Sequence, residues 1–111
     1  MNLNIDVDHE GNNKYVSLSG EIDAYTAPKL KETVLPLTQD AEAAVVVDLQ
    51  QVTYMDSTGL GVFISALKST KEYGGNLKLI QLQERVYRLF KITGLTEIID
   101  IETDSTVRGG M

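Results

Sequence analysis

Tyr54-Met55-Asp56-Ser57-Thr58-Gly59-Leu60-Gly61 is the stretch on which the reading of this chain turns. It follows the most apolar run in the sequence, Ala43-Ala44-Val45-Val46-Val47-Asp48-Leu49, whose β-branched character predicts a strand buried on both faces. It opens the longest helical pattern, in which Leu60, Phe63, Ile64 and Leu67 recur at the spacing of one helix face. A strand running through a short turn into a helix is the unit of an open α/β sheet, and ligands and partners meet such sheets at the carboxyl ends of the strands. Ser57 starts the helix there, next to its positive end, and is the residue to explain. The opposite side of the helix carries Gly59, Gly61, Val62, Ser65 and Ser69, a flat surface that another protein can approach closely.

Upstream, Leu3, Ile5 and Val7 alternate with Asn4, Asp6 and Asp8, the period of a half-buried strand. Val16 and Leu18 resume that alternation, which predicts an antiparallel hairpin with a loop of about 5–7 residues that contains His9. Thr26 is an acceptable N-cap with Pro28 in the first turn, and Leu30, Val34 and Leu37 give the following helix one apolar face, with Lys29, Lys31 and Glu32 pointing elsewhere. Pro36 is expected to stop this helix near Val34 or kink it. Downstream, Leu77, Leu79, Ile80 and Leu82 make a strand, Glu84 to Ile92 a helix with Val86, Leu89 and Phe90 inward, and Ile98, Ile99 and Ile101 a short last strand. Arg85, Arg88 and Lys91 form a basic strip that reads as a solvated face or a partner contact. The predicted order is ββαβαβαβ: one α/β domain over residues 1–103 with right-handed crossovers, then a polar tail over 104–111.

Composition limits the function. With 111 residues there is room for one core. A formal charge of -6, from 16 acidic and 10 basic residues, argues against a nucleic-acid or anionic-membrane surface, which needs a basic footprint. A protein is the expected partner, no cofactor is implied, and nothing calls for more than a monomer. The chain has no cysteine and one histidine, His9, so thiolate or imidazole clusters are not available to it. The start Met-Asn-Leu-Asn-Ile-Asp lacks the features of a secretory signal, and no run approaches the roughly 20 apolar residues that span a bilayer. The expectation is a soluble, cytoplasmic, non-enzymatic protein.

A serine at a helix start is in most proteins simply a cap whose oxygen accepts a backbone N–H. A nucleophilic serine needs a positioned base, and the only imidazole is predicted in a distant loop. Asp56 does not fit an aspartic-protease motif, because both Ser57 and Thr58 separate it from Gly59. Gly59-Leu60-Gly61 has Ile64 where a dinucleotide fingerprint has its third glycine. Asp23 and Asp56 fall in loops at one end of the sheet, close enough to share a site, although loop carboxylates are usually only hydrated.

Taken together, Gly20-Glu21-Ile22-Asp23, Met55-Asp56-Ser57-Thr58-Gly59-Leu60-Gly61, Gly74-Gly75, and Arg88-Leu89-Phe90 with Thr93-Gly94-Leu95 resemble the anti-sigma factor antagonists of the STAS domain family, the anti-sigma-B type above all. The resemblance runs from about Asn2 to Ile101. It implies a STAS-like mixed sheet with helices mainly on one face, and it implies partner switching. The unmodified antagonist binds an anti-sigma factor serine kinase, which then releases its sigma factor; the kinase phosphorylates the serine matching Ser57, with Thr58 the rival acceptor, and a serine phosphatase reverses the change. The implied contact patch is Gly20, Glu21, Asp23, Tyr25, Asp56, Thr58, Gly59, Gly61, Val62 and Ser65. Many relatives close with a further helix, for which Ser105 to Met111 is too short and glycine-rich. The alternative reading is a nucleotide- or small-anion-sensing STAS module that uses the same helix N-terminus as its anion site.

Overall fold

The computed structural model describes residues 2–103. In chain order the elements are β1 (Leu3–Glu10), β2 (Asn13–Ile22), α1 (Ala27–Thr38), β3 (Ala44–Met55), α2 (Ser57–Glu72), β4 (Asn76–Leu82), α3 (Glu84–Ile92), a 3₁₀ turn (Leu95–Glu97) and β5 (Asp100–Thr103). The strands form one sheet in the order β1-β2-β3-β4-β5, with β1 antiparallel to β2 and every later pair parallel. Parallel crossovers are right-handed, so three made in one direction stack α1, α2 and α3 on a single face of the sheet. Phe63 of α2 and Phe90 of α3 meet there with ring centroids 6.0 Å apart, and the Thr38 hydroxyl of α1 lies 2.6 Å from that of Ser69 in α2. Leu30, Val34, Leu60 and Phe63 close over Val16, Leu18, Val45, Val47, Leu49 and Leu79 to form the core.

One-sided covering corrects the reading of the central strand. Val45, Val47 and Leu49 are buried, but Ala44, Val46 and Asp48 on the other face are only half-buried, because no described element covers them. That outer face is tied by side chains instead: the Tyr15 hydroxyl donates to Asp48 at 2.8 Å, and Lys78 pairs with Glu102 at 2.9 Å. β3 also runs on to Met55, beyond the expected end at Leu49.

Four further expectations change. The last strand is Asp100–Thr103, so Ile98 and Ile99 lie in the turn before it. The hairpin turn is the two residues Gly11-Asn12, since Glu10 pairs with Asn13, and His9 lies within β1 opposite Lys14. α1 continues through Pro36 to Thr38. The proline stands on the exposed side in the last turn, so the one backbone donor it removes costs a single bond close to the helix end. Thr26 makes no side-chain cap bond to α1; its hydroxyl is used in the loop described below. Among the described residues no helix is long and apolar enough to cross a membrane. The tail, with the question of a closing helix, lies outside the described residues.

Candidate functional site

Ile22 and Met55 are register partners at the carboxyl ends of β2 and β3, so the loops that follow leave the sheet side by side. The Asp56 N–H donates to the Ile22 carbonyl at 3.2 Å and ties the two loops together. Gly20 sets the approach of the first loop. Its φ is 122°, and a β-carbon on it would fall 2.2 Å from the Asn2 carbonyl oxygen; only glycine fits. Next to it, the Glu21 N–H donates to that same oxygen at 2.9 Å.

Asp23 is buried, 6% exposed. Its Oδ1 accepts the Tyr25 N–H at 2.9 Å and the Thr26 N–H at 3.0 Å. Thr26 Oγ1 accepts from the Asp23 N–H and donates to the Glu21 carbonyl, both at 2.9 Å. This local knot fixes the entry to α1 and leaves the Tyr25 ring standing 87% exposed. Asp23 is thus a structural carboxylate rather than the hydrated one a loop position suggests.

At α2 the structure corrects the cap. Asp56, with extended φ -116° and ψ -170°, is the N-cap, and Ser57 is the first helical residue. Asp56 Oδ1 accepts the Thr58 N–H at 3.0 Å and also the Thr58 hydroxyl. The Thr58 hydroxyl bond, reinforced by backbone N–H groups of the first turn, holds the Asp56 carboxyl below its ordinary range, against a smaller opposing effect of burial. Ser57, relieved of capping, is exposed. Its hydroxyl takes part in none of the side-chain hydrogen bonds of the described residues.

Gly59 is buried because α2 rests on the strand ends: an added β-carbon would sit 2.6 Å from Met55 Cγ and 2.8 Å from Ile22 Cγ2. Val62 is also buried, while Gly61 is exposed and Ser65 half-buried. Thr58, Gly61, Val62 and Ser65 form one wall of a groove whose other wall is Ala24, Ala27, Pro28 and Lys31. Of the expected patch, Glu21, Tyr25, Asp56, Thr58, Gly61 and Ser65 therefore offer surface, whereas Gly20, Asp23, Gly59 and Val62 shape the backbone and packing beneath it. The α1 wall was not foreseen. Its signal was the small-residue side of α2, which implies a neighbouring helix, and the spacing of Pro28 and Lys31 one turn apart.

What this arrangement offers chemically is a free hydroxyl at a helix N-terminus beside an ionised carboxylate. His9 is no help as a base: it pairs with Lys14, whose other neighbour, Val45, is the second residue of β3, so it lies at the far end of the strands from Ser57. Arg88 of the basic strip is paired with Glu84 at 2.5 Å on α3. No group of carboxylates and histidines fit to hold a metal ion occurs among the described residues.

Comparison with known proteins places these features in context. The STAS domain pattern matches residues 4–109. The chain is 50% identical over 105 residues to the anti-sigma-B factor antagonist of Bacillus subtilis (strain 168), covering 95% of each. The crystal structure of an anti-sigma factor antagonist from Mycobacterium paratuberculosis superposes with a TM-score of 0.81 at 26% identity, over 91% of this chain and 86% of that one. The Bacillus cell fate determinant SpoIIAA, in its phosphorylated form, shares the fold with a TM-score of 0.70 at 15% identity, over 96% of this chain and 97% of that one.

Proposed function

Because the chain belongs to the STAS domain family, we propose that it is an anti-sigma factor antagonist controlled by phosphorylation of Ser57. In this reading the unphosphorylated protein, a monomer in the cytoplasm, binds an anti-sigma factor serine kinase and so frees the sigma factor. Phosphate on Ser57 ends that binding, and a serine phosphatase restores it. The domain proper is residues 1–103, with 104–111 as its tail, although the family match continues to residue 109. The observation that carries the proposal is the state of Ser57: exposed, unpartnered, and first in α2. The curated relative that covers nearly the whole chain supports the same function by its name. The anion-sensing alternative has no such support.

The physics of the site explains how one phosphate switches partners without changing the fold. The group adds about -1.5 to -2 charges at neutral pH. The N-terminal N–H groups and dipole of α2 accept an anion, so the helix tolerates it. A partner surface that covers Ser57 has instead to bury a dianion beside Asp56, already ionised. A penalty of about 4 kcal/mol weakens binding a thousandfold, and an uncompensated buried charge reaches that size. Glu21, Tyr25, Asp56, Thr58, Gly61 and Ser65 form the contact surface of this proposal, and Gly20, Asp23, Gly59 and Val62 support it.

The test mixes the protein with a cognate anti-sigma factor kinase and ATP and weighs it intact. One added phosphate, absent from Ser57→Ala, is the expected result. In titration Ser57→Ala should hold the kinase as the unmodified protein does, while Ser57→Asp binds weakly. Equal affinities for the two variants, or a phosphate that persists in Ser57→Ala, would overturn the proposal.

A further inference from the structure

We infer that Asp56 selects the phosphoacceptor, holding the hydroxyl of Thr58 so that Ser57 is left as the free hydroxyl of the first turn of α2. The inference rests on the reading of Ser57 as acceptor and adds to it the reason why the adjacent threonine is spared. Asp56-Ser57-Thr58 presents two hydroxyls in succession, and both residues are exposed. Exposure therefore does not choose between them, and a kinase site that slips by one residue meets the second.

Their hydrogen bonding does choose. The backbone N–H and the hydroxyl of Thr58 both end on the same oxygen, Asp56 Oδ1. Thr58 is β-branched, with few rotamers open to it in a helix, and its side chain also lines the groove between α1 and α2. Turning the hydroxyl outward breaks a hydrogen bond to an ionised acceptor, the stronger kind. Ser57 has no such bond to break. In the transfer, the hydroxyl oxygen forms a bond to the γ-phosphorus of ATP as the bond from that phosphorus to ADP breaks, and the hydroxyl proton leaves to a base of the kinase. At Thr58 that new phosphate would be formed against the Asp56 carboxylate, like charge on like. Asp56 is a positioning residue here: it acts through Thr58.

Site-resolved mapping of the phosphate on kinase-treated, full-length protein tests this. In the wild type the phosphate should sit on Ser57. In Asp56→Ala the share on Thr58 should rise about tenfold, the effect of losing a hydrogen bond to a charged acceptor. Asp56→Ala/Ser57→Ala should take phosphate where Ser57→Ala takes none. Asp56→Asn, an equally good N-cap but a neutral acceptor, should fall between wild type and Asp56→Ala, which separates the hydroxyl lock from the mere integrity of the helix. In the unphosphorylated protein, the Thr58 amide and methyl resonances should follow the titration of Asp56, a readout that needs no kinase. The inference is overturned if Asp56→Ala is labelled on Ser57 alone while Asp56→Ala/Ser57→Ala stays unlabelled, or if the Thr58 resonances ignore that titration. A wild-type chain that accepts no phosphate would remove the reading of Ser57 itself, and this inference with it.

Discussion

Lys14 reaches from β2 to Asp40, at the exit of α1, with Nζ 2.7 Å from Oδ2; the lysine is 6% exposed and the aspartate 58%. A lysine so enclosed has one side-chain partner, and that partner stands mostly in water. The pair fastens the loop before β3 to the strand beside it.

Removing either half should therefore have unequal effects. Asp40→Ala leaves a buried ammonium without its counter-charge and should lower the urea midpoint. Lys14→Met replaces the ammonium with an apolar chain of similar shape and leaves unpaired only Asp40, which is 58% exposed, so it should cost less than Asp40→Ala. Chemical denaturation of the two variants beside wild type makes the comparison; a larger loss for Lys14→Met would show that the ion pair itself carries stability.

Stability should depend on pH at both ends of the scale. Asp40 is held below its ordinary 3.8 by the hydrogen bond and charge of Lys14, and Asp56 below the same value chiefly by the Thr58 hydroxyl. Carboxyls easier to ionise in the folded state contribute stability that is complete above pH 3.8 and is lost as pH falls through the folded values. Tyr15 is raised above 10.0 by its hydrogen bond to Asp48, and Lys78 above 10.5 by Glu102, so their contributions are complete below those values and are lost as pH rises through the folded ones. Melting temperatures measured across pH should fall on both limbs, and Asp40→Asn should flatten part of the acid limb only.

Two glycines of the same helix should respond in opposite directions. Gly59→Ala drives a methyl into Met55 and Ile22, an overpacking that costs about 1–3 kcal/mol. At Gly61 an added β-carbon meets nothing within 4 Å, so Gly61→Ala should gain up to about 1 kcal/mol from the alanine's helix preference. Gly61 nevertheless lines the groove. The same substitution should weaken capture of the kinase, and a calorimetric titration alongside the melt would reveal a protein made firmer and a worse binder at once.

Phosphorylation of Ser57 should leave the fold intact. A phosphate on the first residue of α2 stands at the positive end of the helix dipole, while Asp56 keeps the Thr58 and Gly59 N–H groups. The melting temperature of the phosphorylated protein should equal or exceed that of the unmodified one. A clear drop would mean that the switch works by unfolding rather than by surface charge.

Much of this was visible in the order of the residues. Leu3, Ile5 and Val7 announced β1, and Phe63 and Leu67 announced the buried side of α2, because each element keeps one dry face and one wet one. The polar ends of β1 and β2 were hidden for the same reason: at the sheet edge His9 and Glu10 are exposed, and without an apolar alternation they read as loop. The continuation of β3 to Met55 was masked by register shifts against β2 between Ser17 and Ser19 and between Gly20 and Glu21, which break the period of two. The cap of α2 was a tie that propensity does not break, since Asp and Ser serve equally well. Backbone geometry settled it for Asp56, and so set Ser57 free. The Lys14 pair left no sequence signal, because 26 residues separate its members.

Strand order along the sheet repeats strand order along the chain. During synthesis each segment leaving the ribosome therefore finds its neighbour already laid down, and none has to wedge open a pairing made before it. By Met55 the hairpin, α1 and β3 have all been synthesised, and the segment carrying the switch follows directly, its place beside them set by chain order alone.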